Sequence, residues 1–267
     1  MKLSVLLHRI KHYIHHLWKA QTIYSIHSPF LYEFVKECFD KNNHYYFFDE
    51  ANNIRKKIET SNHKIRYENI GSTSMHLKDK EVSVREILKM AVTPKELSEI
   101  YFRIIVFLKC RNILELGTSL GVNTMYLARA TRGRVISIEG QKALFDFASQ
   151  LFNQYQIKNV ELINQHFDNI LPELVNQNTF DFVLIDGNHT YDATLRYFEL
   201  LKNKMSDKSV MIIDDIYWNK AMTAAWKNII QSNEISASID LFRCGILIFN
   251  NDIKTKYRLQ LRINITK

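Results

Sequence analysis

Glycine is scarce in this chain: there are 7 among 267 residues, where average usage of about 7% would give roughly 19. Each glycine is therefore expected where a side chain is not tolerated. Cysteine is equally rare. Cys38, Cys110 and Cys244 lie far apart, which excludes a disulfide framework and a zinc-ligand pattern and suits a reduced, cytoplasmic protein. No uncharged apolar run approaches the roughly 20 residues of a membrane-spanning helix. The apolar stretch Leu3 to Leu7 is cut off by His8, Arg9 and Lys11, too soon for a secretory leader. Zinc-finger, ribonucleoprotein and Gly-rich RNA-binding motifs are missing, as are repeats and low-complexity segments, so no nucleic-acid partner is expected.

What is present suffices for a folded protein. The chain is 46% hydrophobic and 24% charged, with a formal net charge of +8, and it can bury a sizeable core. The charge is uneven: residues 1–95 carry 16 Lys and Arg against 10 Asp and Glu, residues 96–267 carry 20 against 18. A basic front suits nucleic acid, anionic lipid or an acidic substrate.

Periodicity divides the chain at about residue 95. In the front part, Leu3, Leu6, Leu7, Ile10, Tyr13, Ile14 and Leu17 recur at helical spacing. A second helix is expected from Pro29 to Phe39, opened by Ser28. Residues 40–80 are polar, dotted with aromatics and left unassigned. Thr93-Pro94-Lys95-Glu96 reads as a helix start, with an apolar face continuing to about Leu108.

From residue 111 strands and helices alternate. Strands are expected at Ile113 to Leu116, Arg134 to Ile138, Val160 to Ile163, Phe180 to Ile185 and Val210 to Ile213. Helices follow at Asn123 to Ala130, Gln141 to Tyr155, Ile170 to Val175, Tyr191 to Lys202 and Ala221 to Gln231. Two late strands, Ser236 to Phe242 and Gly245 to Phe249, are close enough to pair antiparallel. Five βα units with a closing hairpin imply an α/β, doubly wound, mostly parallel sheet. Five glycines (Gly117, Gly121, Gly133, Gly140 and Gly187) fall in this part and mostly punctuate strand ends, where open α/β sheets bind ligands.

The sharpest motif is Glu115-Leu116-Gly117-Thr118-Ser119-Leu120-Gly121, between the first strand and its helix. Its E-x-G-x-x-x-G spacing differs from the G-x-G-x-x-G turn that sets a pyrophosphate on a helix N-terminus. An acid before the first glycine suits a cationic or amine-bearing ligand. Gly117 lets the backbone approach that ligand and Gly121 lets the helix begin tightly against the strand. The second strand ends in Glu139, whose carboxylate can accept both hydroxyls of a ribose.

With these residues the chain resembles the class I S-adenosylmethionine-dependent methyltransferases over about residues 95–250. The resemblance implies a Rossmann-like seven-stranded sheet of order 3-2-1-4-5-7-6, residues 96–267 forming the cofactor-binding domain and residues 1–95 a helical extension. It implies that Glu115, Gly117, Thr118, Ser119 and Gly121 hold the methionine part of the cofactor and Glu139 the ribose. The segment Gln165-His166-Phe167-Asp168 would lie by the adenine, although Asn164-Gln165 stands where the family often has glycine or aspartate.

The fourth strand runs into Asp186-Gly187-Asn188-His189-Thr190-Tyr191 and the fifth into Asp214-Asp215-Ile216-Tyr217-Trp218. Asp186 is expected to face Asp214 and Asp215 across the cofactor cleft. Three carboxylates this close repel one another unless a cation or proton sits between them, and hard oxygens suit Mg²⁺ or Ca²⁺. The pattern is similar to the small catechol- and caffeoyl-CoA-type O-methyltransferases. In those, an aspartate and an acid-amide pair 28 and 29 residues later bind a metal, the separation found here. Asp215 departs from that pattern, since those enzymes usually carry asparagine; bacterial sugar and antibiotic O-methyltransferases also use acid pairs. The alternative is that Asp214 caps a turn and Asp215 holds the cofactor amine or a neighbouring side chain. His189 is a candidate general base, histidine being suited to proton transfer near neutrality, or else orients Asp186 or caps the next helix.

The front segment is expected to cover the acceptor site or to form a homodimer interface. Its first helix should dock on the enzyme through Leu3, Leu7, Ile10, Ile14 and Leu17, a membrane-surface role being the other reading. His8, His12, His15 and His16 read as an ordinary basic face, without the carboxylate or cysteine partner of a metal site. Asn69 to Ser74, with the only glycine before residue 117, reads as a substrate-side loop, and Tyr24, His27, Phe30, Tyr45, Tyr46 and Phe47 as pocket or core aromatics. The activity implied is methyl transfer from S-adenosylmethionine to a small-molecule hydroxyl, with Mg²⁺ as an assistant. A non-catalytic nucleotide-binding module and an NAD-linked oxidoreductase are the competing readings, the latter disfavoured by the loop spacing.

Overall fold

The computed structural model describes residues 3–66 and 81–262. The expected Asn69 to Ser74 loop lies outside them. The helices are α1 (Leu3–Lys19), α2 (Pro29–Phe39), α3 (Tyr46–Thr60), α4 (Val84–Ala91), α5 (Lys95–Leu108), α6 (Val122–Ala130), α7 (Lys142–Gln154), α8 (Phe167–Gln177), α9 (Tyr191–Lys202) and α10 (Lys220–Ile229). The strands are β1 (Lys64–Arg66), β2 (Glu81–Ser83), β3 (Asn112–Leu116), β4 (Arg134–Ile138), β5 (Val160–Ile163), β6 (Phe180–Ile185), β7 (Met205–Asp214), β8 (Ala237–Asp240), β9 (Cys244–Phe249) and β10 (Tyr257–Gln260).

The main sheet is mostly parallel, with the order β10-β8-β9-β7-β6-β3-β4-β5. Read from β5, this is the expected 3-2-1-4-5-7-6 order with an eighth strand added at the edge. The fold is a Rossmann-like, doubly wound α/β sheet. The closing hairpin is confirmed: β9 runs antiparallel to β7 and to β8, with Asp214 opposite Cys244. The added β10 lies parallel to β8 and buries only Leu259 and its neighbourhood, which leaves little apolar signal in Tyr257–Gln260.

By contact density the chain forms two compact units, residues 37–170 and residues 1–36 with 171–264. In the first, β4 is flanked in parallel by β3 and β5. Strands β3 and β4 are buried at every residue but the first, as strands covered on both faces must be. Residues 122–128 of α6 are buried all round, packed against α5 and α3. Phe47 and Phe48 of α3 meet Phe102 of α5 and Tyr126 of α6 in an aromatic cluster, with ring centroids 5.1 to 6.5 Å apart.

Local signals were partly displaced. Helix α5 starts near the predicted place, but with Pro94 at its N-cap and no side-chain cap. The capping box is one helix earlier, where Ser83 Oγ accepts from the Glu86 amide and Glu86 returns the bond to Ser83. Thr93 instead lends its carbonyl to Arg55. At the start of α2, Ser28 Oγ accepts from the Leu31 amide, as its sequence foretells.

The second unit joins both ends of the chain. Here α1 packs through its histidines: His8 Nε2 lies 2.9 Å from Thr223 Oγ1 and the His12 ring stacks on Tyr217 at 5.0 Å. His16 is buried, with Nε2 3.2 Å from the Leu261 carbonyl and Nδ1 3.2 Å from Asp240 Oδ1. Of the apolar stripe expected to dock, Leu3, Leu7, Ile10 and Ile14 are exposed and only Leu17 is half-buried. The reason is chemical. Asp240 is buried in this unit, and it is satisfied by His16, Gln260 and the Tyr217 hydroxyl, which donates at 2.6 Å.

Candidate functional site

In the unit of residues 37–170, the loop between β3 and α6 is anchored by Glu115. This carboxylate is fully buried and accepts from Asn123 Nδ2 at 2.8 Å, Thr124 Oγ1 at 2.5 Å and Ser137 Oγ at 2.6 Å. Thr118 Oγ1 adds a 2.6 Å bond to Ser137 Oγ. Burial pushes Glu115 up to about 7 against those three hydrogen bonds, which favour its charged form. The Gly117 and Thr118 amides both donate to the Ile138 carbonyl, tying the loop to the end of β4.

The loop backbone is unusual. Gly117 and Gly121 have φ of 110° and 78°, and Ser119 between them has 51°. At Gly121 a Cβ would stand 2.8 Å from Phe152 Cε1 and 3.0 Å from Ala148 Cβ, so both conformation and space require glycine. Ser119 costs of order 1–3 kcal/mol in that region. Three more non-glycine residues beyond strand ends share it, Asn188 after β6, Asp215 after β7 and Phe242 between β8 and β9. Left-handed residues of this kind gather where a backbone is shaped for a ligand.

Glu139 ends β4. Its Oε2 accepts from the Ser119 amide and its Oε1 from the Gln141 amide, each at 2.8 Å. Burial raises its pKa, while the amides of Gln141, Ser119 and Gly140 pull the other way. Three amide donors leave the carboxylate a further lone pair for a hydroxyl donor. Asn164 donates to the Glu139 and Gly140 carbonyls at 2.7 and 3.3 Å, so the residue standing where the family often has glycine or aspartate pins this turn. His166 is exposed and Phe167 half-buried, both beyond β5. The Ser119 hydroxyl is buried and has no hydrogen-bond partner among the described residues. A buried orphan beside two left-handed glycines and a ribose-type carboxylate fits a nucleoside ligand such as S-adenosylmethionine.

In the other unit, the structure brings Asp186, His189, Asp214 and Asp215 together. His189 Nε2 is 3.7 Å from Asp186 Oδ1 and 4.0 Å from Asp215 Oδ2. Thr190, not His189, caps α9. The cation among the carboxylates is one the sequence reading missed: Arg243, in the turn between β8 and β9. Its Nη2 donates to Asp214 Oδ2 at 3.0 Å, and its Nε lies 3.4 Å from Asp214 Oδ1 and 3.2 Å from Asp215 Oδ1. The Asp214 charge, foremost, raises the Arg243 pKa. Asp215 is raised by burial and then by Asp214, against Arg243 and His189. Among the described residues, no group of three or more His, Cys, Asp or Glu is arranged to hold a metal ion.

A glycine-shaped loop after β3 and a carboxylate at the end of β4, on a sheet of this order, decide the comparison. Residues 114–216 match a methyltransferase domain. An O-methyltransferase, hkm8 of Aspergillus hancockii, is 29% identical over 128 residues, which are 45% of this chain and 50% of that protein. The chain thus spans half the length of this curated relative. Among solved structures, the O-methyltransferase TomG of Streptomyces achromogenes, in complex with SAM, aligns with a TM-score of 0.53 at 17% identity. That alignment covers 60% of this chain and 82% of TomG. An O-methyltransferase from Bacillus cereus in complex with SAH gives 0.53 at 16% identity, over 82% of this chain and 96% of that one. At these identities the likeness is one of fold, and it agrees with the resemblance to class I S-adenosylmethionine-dependent methyltransferases. No helix among the described residues is long and apolar enough to cross a membrane.

Proposed function

We propose that the chain transfers the methyl group of S-adenosylmethionine to a hydroxyl of a small molecule, with residues 96–267 as the catalytic domain and 1–95 as an extension. The observation that carries this reading is the loop from Gly117 to Gly121, held on Glu115 and closed by Glu139, with the unpartnered Ser119 hydroxyl within it. Glu139 would accept the ribose hydroxyls and Ser119 a polar group of the ligand, while Glu115 acts as a positioning residue through Asn123, Thr124 and Ser137. When bound, S-adenosylmethionine supplies a methyl carbon on a positively charged sulfur. The chain's own part would be chiefly to position the acceptor hydroxyl against that methyl carbon and to remove the hydroxyl proton. His189 is the candidate acceptor of that proton, with Asp186 and Asp215 near enough to stabilise the imidazolium.

The Mg²⁺ implied by the family resemblance does not fit the donor set. Both Asp214 oxygens and one Asp215 oxygen already face the Arg243 guanidinium. The test combines calorimetry with S-adenosylhomocysteine and NADH and methyl transfer to a panel of hydroxylated acceptors, with and without chelator. Binding of S-adenosylhomocysteine but not NADH, and turnover indifferent to chelator, are expected. Failure to bind S-adenosylhomocysteine overturns the cofactor reading; binding without turnover on any acceptor favours a non-catalytic module; loss of turnover in chelator overturns the metal-free reading.

A further inference from the structure

Helix α1 is amphipathic, yet it docks with its polar side. Val5, His8, Arg9, His12 and His16 form the inner face, fixed by Thr223, Tyr217, Asp240 and Leu261. Arg9 lies over the Trp218 ring at 5.1 Å. The outer face is a continuous apolar stripe: Leu3 is 70% exposed, Leu7 58%, Ile14 62% and Trp18 83%, with Leu6, Ile10 and Tyr13 beside them. Over 17 residues this stripe is roughly 26 Å long. An exposed apolar stripe of that length marks a surface that something covers.

Charge says what covers it. No Asp or Glu occurs before Glu33, exposed Lys11 and His15 border the stripe, and exposed Lys19 ends the helix. Lys220 and Lys227 of α10 add positive charge near the same helix, where they hold down the proton affinity of His8 after burial does. A second copy laid on this face would bring like charges together. A sheet of anionic headgroups would meet charges of the opposite sign, and Trp18 at one end is the residue type that settles at a membrane–water boundary.

We propose that α1 docks the protein on an anionic lipid surface, lying in the headgroup plane with Leu3, Leu7, Ile10, Ile14 and Trp18 turned toward the acyl chains. The full chain is tested by flotation with vesicles of phosphatidylcholine alone and of phosphatidylcholine mixed with phosphatidylserine. Binding is expected to the mixed vesicles only, to weaken with added salt, and to shift tryptophan emission to the blue, a shift lost in Trp18→Phe. Leu7→Asp with Ile14→Asp, both at exposed positions, should weaken partition on the order of a hundredfold with the thermal melt unchanged. No flotation with the mixed vesicles, or flotation that survives the double substitution, overturns the proposal. So does a dimer in solution that the double substitution splits, since the stripe is then covered by a second copy.

Discussion

Removing Arg243 is the most informative single perturbation of the acid cluster. Arg243→Ala leaves Asp214, almost wholly buried, and Asp215, largely buried, beside Asp186 and His189 without the guanidinium that pairs with both, the charge of Arg9 acting on Asp215 less strongly. Breaking a buried ion pair on one side costs about 3–5 kcal/mol, because the surviving charge stays desolvated. Asp215 and Arg243 keep some solvent access, which places the expectation at about 3–4 kcal/mol. For a chain of this size each kcal/mol moves the melting temperature by about 2–4 °C, so a fall of roughly 6–16 °C is expected by circular dichroism near neutral pH. Three signatures identify the cause. Arg243→Ala combined with Asp214→Asn should regain more than half of the loss. The deficit should shrink in acid, since folded-state carboxylates whose pKa is raised favour the protonated form and lose stability as pH rises through that value. Added Ca²⁺ or Mg²⁺ should stabilise the variant and not the parent, because freed aspartate oxygens form a hard donor set. A variant that melts within about a degree of the parent, or one that Asp214→Asn fails to rescue, refutes the view that Arg243 is the counter-charge.

Other outcomes follow from the cofactor loop. Glu115, raised by burial from 4.5 to about 7, contributes stability that is full below 4.5 and lost as pH rises through about 7. That amounts to about 3 kcal/mol, and Glu115→Gln should flatten the dependence of unfolding free energy on pH in that window, measured by urea titration. Gly121→Ala meets the φ of 78° and the Phe152 and Ala148 contacts. The expected loss is about 2–5 kcal/mol by thermal melt, with weaker S-adenosylhomocysteine binding. Gly117→Val should retain the circular dichroism spectrum while calorimetry shows no S-adenosylhomocysteine binding; retained binding would sink the loop assignment.

The order of the central strands was legible because each is an apolar run ended by a glycine or acid, as at Leu116-Gly117 and Ile138-Glu139. Helix α3 was not, although Phe47, Phe48, Ala51, Ile54 and Ile58 follow helical spacing, because the run of aromatics before it blurs the period. Asp186, Asp214 and Asp215 could be grouped from strand ends alone. Arg243 was not legible: its neighbour Cys244 comes opposite Asp214 through the pairing of β9 with β7, a register that the expected hairpin of the two late strands leaves open. For α1 periodicity reveals a stripe but not which side docks. That depended on Asp240, a buried acid more than two hundred residues away that takes a histidine as its partner.

The tie between the two chain ends has a consequence for biosynthesis. His16 bonds to the Leu261 carbonyl across 245 residues, and the Gln21 amide donates to the Gln260 carbonyl at 2.7 Å. At about 5–20 residues per second, the ribosome needs roughly 10–50 s to make that intervening stretch. Throughout that interval α1 has no Asp240, no Tyr217 and no β10 to rest on, and its histidine face is as bare as its apolar one. The helix is made long before its seat, so a nascent chain carries a complete cationic amphipathic segment ahead of the strands that will later hold it.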